Sequence, residues 1–224
     1  MHHPLEIPVL VIVSFVSSYV PPAVGWIRWR FLSKEMRLLL GLFTLYIPFS
    51  VANLFLNRHG INSVWMSQCY SLAEYVVYAV VFSSWAKDEK VRSSIKGSIY
   101  FYVGFWIIAK LSFEPITLFD TFTGPIRELL LAAMGVYTML TLVGEENVPI
   151  LRHFRFWIAV AVLIYSVGTL PMFAIANKLL AHSLERFATV WTINWTLIII
   201  ANVFYAIAFL SVQRAKLQTV STEE

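Results

Sequence analysis

The chain has 224 residues, of which 58% are hydrophobic and 13% are charged, whereas a soluble domain carries about 25% charged residues. Together with a mean hydropathy of +0.70, this composition excludes a soluble globular domain and indicates one membrane-embedded domain. The net charge of +4 does not indicate nucleic acid binding, because a basic excess is typical of the cytoplasmic loops of membrane proteins.

Apolar stretches predict seven transmembrane helices, each near the length of about twenty residues that crosses a hydrocarbon core. The predicted spans are 5–27, 36–56, 63–85, 97–118, 124–144, 154–176 and 187–212, and residues 213–224 are predicted to form a short cytoplasmic tail. The first span lacks the basic flank and the cleavage site of a secretory signal, so it is predicted to be retained. The expected fold is an all-α bundle of seven transmembrane helices within residues 1–212.

The basic residues of the loops predict how this bundle is oriented. Twelve Lys and Arg residues fall on one predicted side of the membrane, namely Arg28, Arg30, Lys34, Arg37, Lys87, Lys90, Arg92, Lys96, Arg152, Arg155, Arg214 and Lys216. Only Arg58, Lys178 and Arg186 fall on the other side. Because basic loops stay in the cytoplasm, the N-terminus is expected outside and the C-terminus inside a plasma (inner) membrane.

The third predicted span carries a carboxylate, Glu74, near its middle. Tyr70, Glu74 and Tyr78 follow one another at i, i+4 spacing and therefore share one helix face. An ionisable group in hydrocarbon costs about 2.5 kcal/mol or more unless it is paired or hydrated. Glu74 therefore predicts either a charged partner inside the bundle or a polar cavity.

Three further charged residues, Lys110, Arg127 and Glu128, are predicted in the outer half of the membrane near Glu74. Two interpretations remain open. In the first, Glu74 and the two tyrosines form the floor of a pocket that opens to the outside, with Lys110 or Arg127 as a cationic wall. In the second, Glu74 pairs with Lys110 or Arg127 and only locks the third, fourth and fifth helices together.

Arg127 and Glu128 are adjacent, so they lie about 100° apart on a helix, and each is predicted to find a different partner. A guanidinium is a good anchor for carboxylate or phosphate groups, which suggests a small anionic or amphipathic ligand. Glu128, in the first turn of its helix, is also stabilised by the helix dipole. Lys110 and Glu114 are four residues apart, so their pairing competes with a role for Lys110 in the pocket.

Asparagines in the second and seventh spans form another polar set. In the seventh span, Asn194 and Asn202 are eight residues apart and share one helix face, and Tyr205 lies near Asn202. Asn53 lies in the second span. Polar side chains in transmembrane helices commonly form hydrogen bonds to neighbouring helices. These four residues are therefore predicted to pack helices together or to form a secondary site.

The sequence carries no enzyme signature. It has no His pair at i, i+4, no G-x-S-x-G motif and no Gly-rich phosphate loop. No metal site is expected, and the last span has no lysine that could form a retinal Schiff base. A catalytic role is therefore disfavoured, and the sequence identifies no cofactor.

The number and orientation of the spans resemble those of bacterial seven-helix sensor regions, including those that precede histidine kinases. This resemblance implies a receptor-like protein that binds a ligand. Because residues 213–224 hold no output domain, the expected partner is another membrane protein or a second copy of the chain. The alternative is a small secondary transporter or proton-coupled carrier that uses Glu74, and a membrane-embedded enzyme is the third interpretation.

Overall fold

The computed structural model describes residues 9–144 and 149–221, without the side chains of residue 184 and of residues 213–221. All regular structure in these ranges is helical, which confirms the predicted all-α class. The helices are α1 (Val9–Ser17), α2 (Val20–Ile27), α3 (Lys34–Arg58), α4 (Val64–Trp85), α5 (Glu89–Ser112), α6 (Thr123–Val143), α7 (Phe154–His182) and α8 (Leu184–Ser221). Short 3-10 turns, Trp29–Phe31 and Ile150–Arg152, follow α2 and precede α7.

Five helical stretches among the described residues are long and apolar enough to cross a membrane. They are Val9–Ile27, Lys34–Arg58, Thr123–Val143, Phe154–His182 and Glu185–Val212. The other two long helices, α4 and α5, have 22 and 24 residues but carry more polar and charged side chains. The structure therefore supports a membrane protein, while the predicted count of seven crossings depends on α4 and α5.

The first predicted span consists of two helices. Its residues 5–8 lie outside the described residues, and the helix is interrupted between Ser17 and Val20. Pro21 and Pro22 occupy the start of α2 and have no N–H group to donate to the carbonyls four residues earlier. Just before the break, the Ser17 and Ser18 hydroxyls donate to the Ser14 carbonyl oxygen, at 2.7 and 3.1 Å.

The fourth predicted span, 97–118, differs from the structure at both ends. Helix α5 begins at Glu89, inside the stretch that was predicted to be a charged loop, and ends at Ser112. Its start follows from Asp88, whose carboxylate accepts a hydrogen bond from the Lys90 N–H at 2.7 Å and so caps the helix. The last two helices are also longer than predicted, since α7 reaches His182 and α8 reaches Ser221.

A well-packed core fills one end of the bundle, where the predicted basic loops lie. We call it the basic end. Fully buried side chains come there from the start of α3, the end of α4, the start of α7 and the end of α8, and include Met36, Leu39, Leu40, Tyr78, Phe82, Ile158, Ala208 and Phe209. Because helices in a membrane associate through close van der Waals packing and interhelical hydrogen bonds, this core holds the helices together.

The opposite end of the bundle holds the joints 59–63, 113–122 and 183, and we call it the loop end. Polar contacts here replace much of the apolar packing. The Asn62 side chain donates to the Thr117 carbonyl oxygen at 3.0 Å, and Gln68 Nε2 donates to the Leu118 carbonyl oxygen. From α7, Asn177 accepts from the Phe119 N–H at 3.1 Å and donates to its carbonyl at 2.8 Å. Loop 113–122 is therefore fastened to α4 and α7.

Candidate functional site

A cavity of about 510 Å³ lies between the helices toward the loop end. Its size falls within the range of about 300–1,000 Å³ that small-molecule sites occupy. Side chains from α1, α3, α4, α6, α7 and α8 line it, together with loop 113–122. Its polar and aromatic lining includes Tyr46, Phe49, Asn53, Gln68, Tyr70, Glu74, Phe119, Asp120, Arg127, Tyr165, Phe173, Trp191, Asn194, Trp195, Asn202 and Tyr205.

Glu74 projects from the middle of α4 and lines this cavity. Within the described part of the chain, its carboxylate makes no hydrogen bond and no ion pair. On the preceding turn, the Tyr70 ring packs against Tyr46 and Phe49, with centroids 5.3 and 5.6 Å apart. Glu74 is thus a half-buried carboxylate in a mostly aromatic surrounding.

The face predicted from Tyr70, Glu74 and Tyr78 is divided in the structure. Tyr70 and Glu74 line the cavity, whereas Tyr78 is 2% exposed in the core and its hydroxyl donates to the Tyr205 hydroxyl at 2.6 Å. Tyr205 reaches both the cavity and this hydrogen bond. Tyr78 therefore lies outside the cavity lining and is joined to it by this hydrogen bond with Tyr205.

Arg127 and Glu128 pair with each other, which corrects the prediction that they would find different partners. Glu128 Oε1 accepts from Arg127 Nη2 at 2.5 Å and from Arg127 Nε at 3.0 Å. The two side chains bend toward each other in the first turn of α6, although their Cα–Cβ bonds point about 100° apart. Both are buried, at 2% and 0% exposed, and Arg127 Nη1 and Glu128 Oε2 have no hydrogen-bond partner among the described residues. Arg127 lines the cavity, and Glu128 lies behind it.

Lys110 lies apart from the cavity lining and is part of a buried network at the start of α6. Its Nζ donates to Glu114 Oε2 at 2.7 Å, and the same oxygen accepts from the Thr123 hydroxyl at 2.6 Å. Glu114 Oε1 accepts from the Phe122 N–H at 2.7 Å. Burial alone would raise the pKa of Glu114, but these hydrogen bonds and the Lys110 ammonium hold it below its usual range. Lys110 therefore neutralises the carboxylate that caps α6.

Asp120 is a lining residue that the sequence analysis left out of the site. It is 5% exposed, and burial raises its pKa although Arg127 opposes that shift. Its carboxylate packs against the start of α6, where a Cβ on Gly124 would lie 3.2 Å from Asp120 Cγ. Gly124 leaves the room for this close approach. The sequence places Asp120 in the outer third of the membrane, with Lys110, Arg127 and Glu128, but does not indicate that it lines the pocket.

Aromatic rings close the cavity at the loop end. Phe119 packs on Phe187 and Trp191, with centroids 5.4 and 5.2 Å apart, and Phe187 stacks on Trp191 at 4.7 Å. Phe173 meets Trp191 edge-on and lies under the Arg127 guanidinium, 5.5 Å from ring centroid to Cζ. Loop 113–122 and the start of α8 thus form a roof over the polar lining.

The predicted packing asparagines have different environments. Asn53 accepts from Asn57 Nδ2 at 2.8 Å and donates to Ser67 at 3.2 Å, which joins α3 to α4. Asn202 donates to the Ser17 and Ser18 hydroxyls at 3.0 and 3.1 Å, which joins α8 to the break after α1.

Asn194 lacks such a contact. It is 7% exposed and lines the cavity, and in the part of the chain that the structure describes its Oδ1 has no hydrogen-bond partner. Gln68, which sequence reasoning missed, has an equally unpartnered Oε1 on a side chain that is 2% exposed. Two buried acceptor oxygens therefore belong to residues that line the cavity.

Metal-binding clusters are not seen in residues 9–144 and 149–221, where no three His, Cys, Asp or Glu side chains come together. Cys69 is a half-buried free thiol. The lining offers carboxylate and amide oxygens, one paired guanidinium and many aromatic rings. This set of groups suits the binding of an organic molecule with polar and apolar parts.

Comparison with protein-family models, with curated proteins and with solved structures gives no match for this chain.

Proposed function

We propose that all seven long helical segments cross the membrane, counting α1 and α2 as one. Helices α4 and α5 are long enough, since 22 and 24 residues extend about 33 and 36 Å at about 1.5 Å per residue. α5 also exposes a broad apolar face, with Phe101, Ile108 and Leu111 at 60%, 62% and 83% exposed. Such a face suits contact with lipid. In α4, Gln68, Ser71 and Glu74 line the cavity instead.

The same proposal places the basic end in the cytoplasm of a plasma (inner) membrane and the loop end outside. The excess of Lys and Arg at the basic end supports this orientation. At that end Trp26 and Trp29 stack with centroids 5.1 Å apart, and the Arg37 guanidinium lies 4.9 Å from the centre of the Trp29 ring. Exposed Trp and Arg side chains are typical of a membrane interface.

We propose that the protein is a receptor-like membrane protein that binds a small amphipathic molecule in the cavity. The observation that carries this proposal is Glu74, a carboxylate in the middle of a long helix that lines a cavity of about 510 Å³ without a hydrogen-bond or ion-pair partner in the described residues. A group that only locks helices together would be paired, as Glu114 is with Lys110. A partner membrane protein or a second copy of the chain would then receive the signal.

Occupation of the cavity is tested with 4-phenylbutan-1-ol, a neutral probe with an aromatic body and one hydroxyl. We expect this alcohol to raise the melting temperature of the protein in maltoside micelles in a saturable manner. Ser71→Phe, which fills part of the cavity lining, should abolish the shift, whereas Ser94→Phe, on an exposed face of α5, should keep it. A shift that Ser71→Phe leaves intact would assign the effect to the micelle or the outer surface.

A second test uses the stability of the protein without added ligand. We expect Glu74→Gln to raise the free energy of unfolding by about 0.5–2 kcal/mol, because binding sites commonly trade stability for function and an amide is cheaper to bury than an unpaired carboxylate. Thermal unfolding in micelles measures it, with Glu185→Gln as the exposed control at the loop end. A clear loss of stability on Glu74→Gln would show that Glu74 instead locks the helices.

A proton-coupled carrier is the second candidate, since an unpaired carboxylate inside a membrane is typical of proton relays. It differs from a receptor in one measurable property. A carrier reconstituted in liposomes would move protons with its substrate, and Glu74→Gln would stop this movement. A receptor would show saturable binding with no flux across the bilayer.

A further inference from the structure

We propose that the ligand of the cavity is an organic cation, an ammonium group on an apolar body, and that Glu74 holds the ammonium. This proposal rests on the proposed binding function and names the class of molecule bound. It replaces the anionic ligand that Arg127 alone suggested, because the structure shows how the charges around the cavity are already used.

The charges that line the cavity favour a cation. Glu74, Asp120 and Arg127 are the charged lining residues, and Arg127 is bound to Glu128 at 2.5 Å. Neither Glu74 nor Asp120 has an ion-pair partner among the described residues. Lys110 is not available to them, because it pairs with Glu114 outside the lining. The lining thus presents two carboxylates without an ion pair and one guanidinium that is already paired, so an added positive charge would be attracted. An added negative charge would meet these two carboxylates and would find Arg127 Nη1 as an unpartnered donor of the described lining residues.

Two buried acceptor oxygens on lining residues also favour a molecule that donates hydrogen bonds, against one unpartnered donor, Arg127 Nη1, among the described lining residues. Gln68 donates its amide N–H to the Leu118 carbonyl oxygen, which leaves Gln68 Oε1 buried without a donor from residues 9–144 or 149–221. Asn194 Oδ1 is in the same state. Oxygen atoms of this kind need a donor to offset the cost of their burial. An ammonium group has three N–H donors and no acceptor, so it complements carboxylate and amide oxygens.

Aromatic rings supply the remaining surface for such a molecule. Tyr46, Phe49 and Tyr70 cluster one turn from Glu74, and Trp191 and Trp195 face the cavity from α8. The faces of Tyr and Trp rings attract cations and also pack against apolar groups. One surface can thus hold both parts of a cationic amphipathic ligand.

The test compares three probes that share one apolar body: 4-phenylbutylamine, 4-phenylbutan-1-ol and 4-phenylbutanoate. Dissociation constants are measured at pH 7 in neutral maltoside micelles, from thermal shifts and from tryptophan fluorescence. We expect the amine to bind at least about tenfold more tightly than the alcohol, and the carboxylate to bind most weakly. Equal affinities, or a preference for the carboxylate, would overturn the ammonium assignment while the binding function stands. Binding of none of the three would remove the binding function itself.

Variants separate the role of Glu74 from a general attraction of amines to the protein. Glu74→Gln should abolish the preference for the amine but retain binding of the alcohol, which also shows that the variant is folded. Glu185→Gln removes an exposed carboxylate at the same end of the bundle and should leave the preference unchanged. An amine preference that survives in Glu74→Gln would contradict the proposal.

The ammonium could belong to a free amine or to a lipid headgroup, and a competition experiment separates these sources. Phosphatidylethanolamine is added to the micelles before the amine is titrated. Loss of the amine shift would assign the site to the lipid ammonium, and an unchanged shift would assign it to a free amine. Both results support a site for an ammonium group.

Discussion

Replacing Arg127 with methionine is expected to lower the free energy of unfolding by about 3–5 kcal/mol, the usual cost of removing one partner of a buried ion pair. Methionine preserves most of the apolar packing against Phe173 but leaves Glu128, which is 0% exposed, with no positive charge. Glu74 and Asp120 lie on the same cavity and would lose the nearby positive charge of Arg127 as well. The measurement is chemical or thermal unfolding in micelles at pH 7.

The double variant Arg127→Met with Glu128→Leu identifies the cause of this loss. Replacement of a whole buried ion pair by apolar side chains of similar volume is commonly neutral or stabilising, so the double variant should recover most of the stability. Arg186→Met, at an exposed position of α8, is the matched control and should change little. If the double variant were as unstable as the single one, the contribution of Arg127 would be its packing and its contact with Phe173 rather than its charge.

The positions of the helices could largely be predicted from the sequence, because the length of an apolar stretch is a local property. Helices α3, α4 and α6 begin and end within two residues of the predicted spans. The start of α5 was missed because its first residues are charged, and hydropathy alone does not register a cap such as Asp88. The break after Ser17 was missed because it comes from Pro21 and Pro22, which have no backbone N–H to donate. A hydropathy profile does not register this loss of hydrogen-bond donors.

The candidate site could be predicted only in part, because its contacts depend on how each helix is rotated. Glu74, Tyr70 and Arg127 stood out as polar groups at membrane depth and do line one cavity. The prediction that Arg127 and Glu128 would find different partners was based on ideal helix geometry. That geometry ignores the length and flexibility of the two side chains. Gln68 and Asn177 were missed because their hydrogen-bond partners are backbone atoms of loop 113–122. The pattern of side chains in a sequence does not indicate which backbone atoms a side chain will contact.

Lys110→Met is expected to cost about 3–5 kcal/mol of unfolding free energy at pH 7, because it leaves the Glu114 carboxylate buried without its cation. Both side chains are nearly inaccessible, at 6% and 3% exposed. Glu114 also accepts hydrogen bonds from Phe122 and Thr123 at the start of α6, so the loss should spread to loop 113–122. The free energy of unfolding is measured for Lys110→Met and for the control Lys96→Met, which removes an exposed lysine from the same helix. This comparison separates the loss of the ion pair from a change in net charge.

The dependence of this loss on pH distinguishes charge from packing. The pKa of Glu114 is lowered in the folded protein, so its ionised form stabilises the fold above the unfolded pKa of about 4.3. That stabilisation disappears as the pH falls through the folded pKa. The wild-type protein should therefore lose stability below about pH 4.3, and Lys110→Met should lose less, because a neutral carboxyl no longer needs a cation. The difference between the two proteins should shrink toward acid pH. A difference that stays constant with pH would instead assign the cost to the packing of the Lys110 side chain, and the roof formed by loop 113–122 would then be independent of this ion pair.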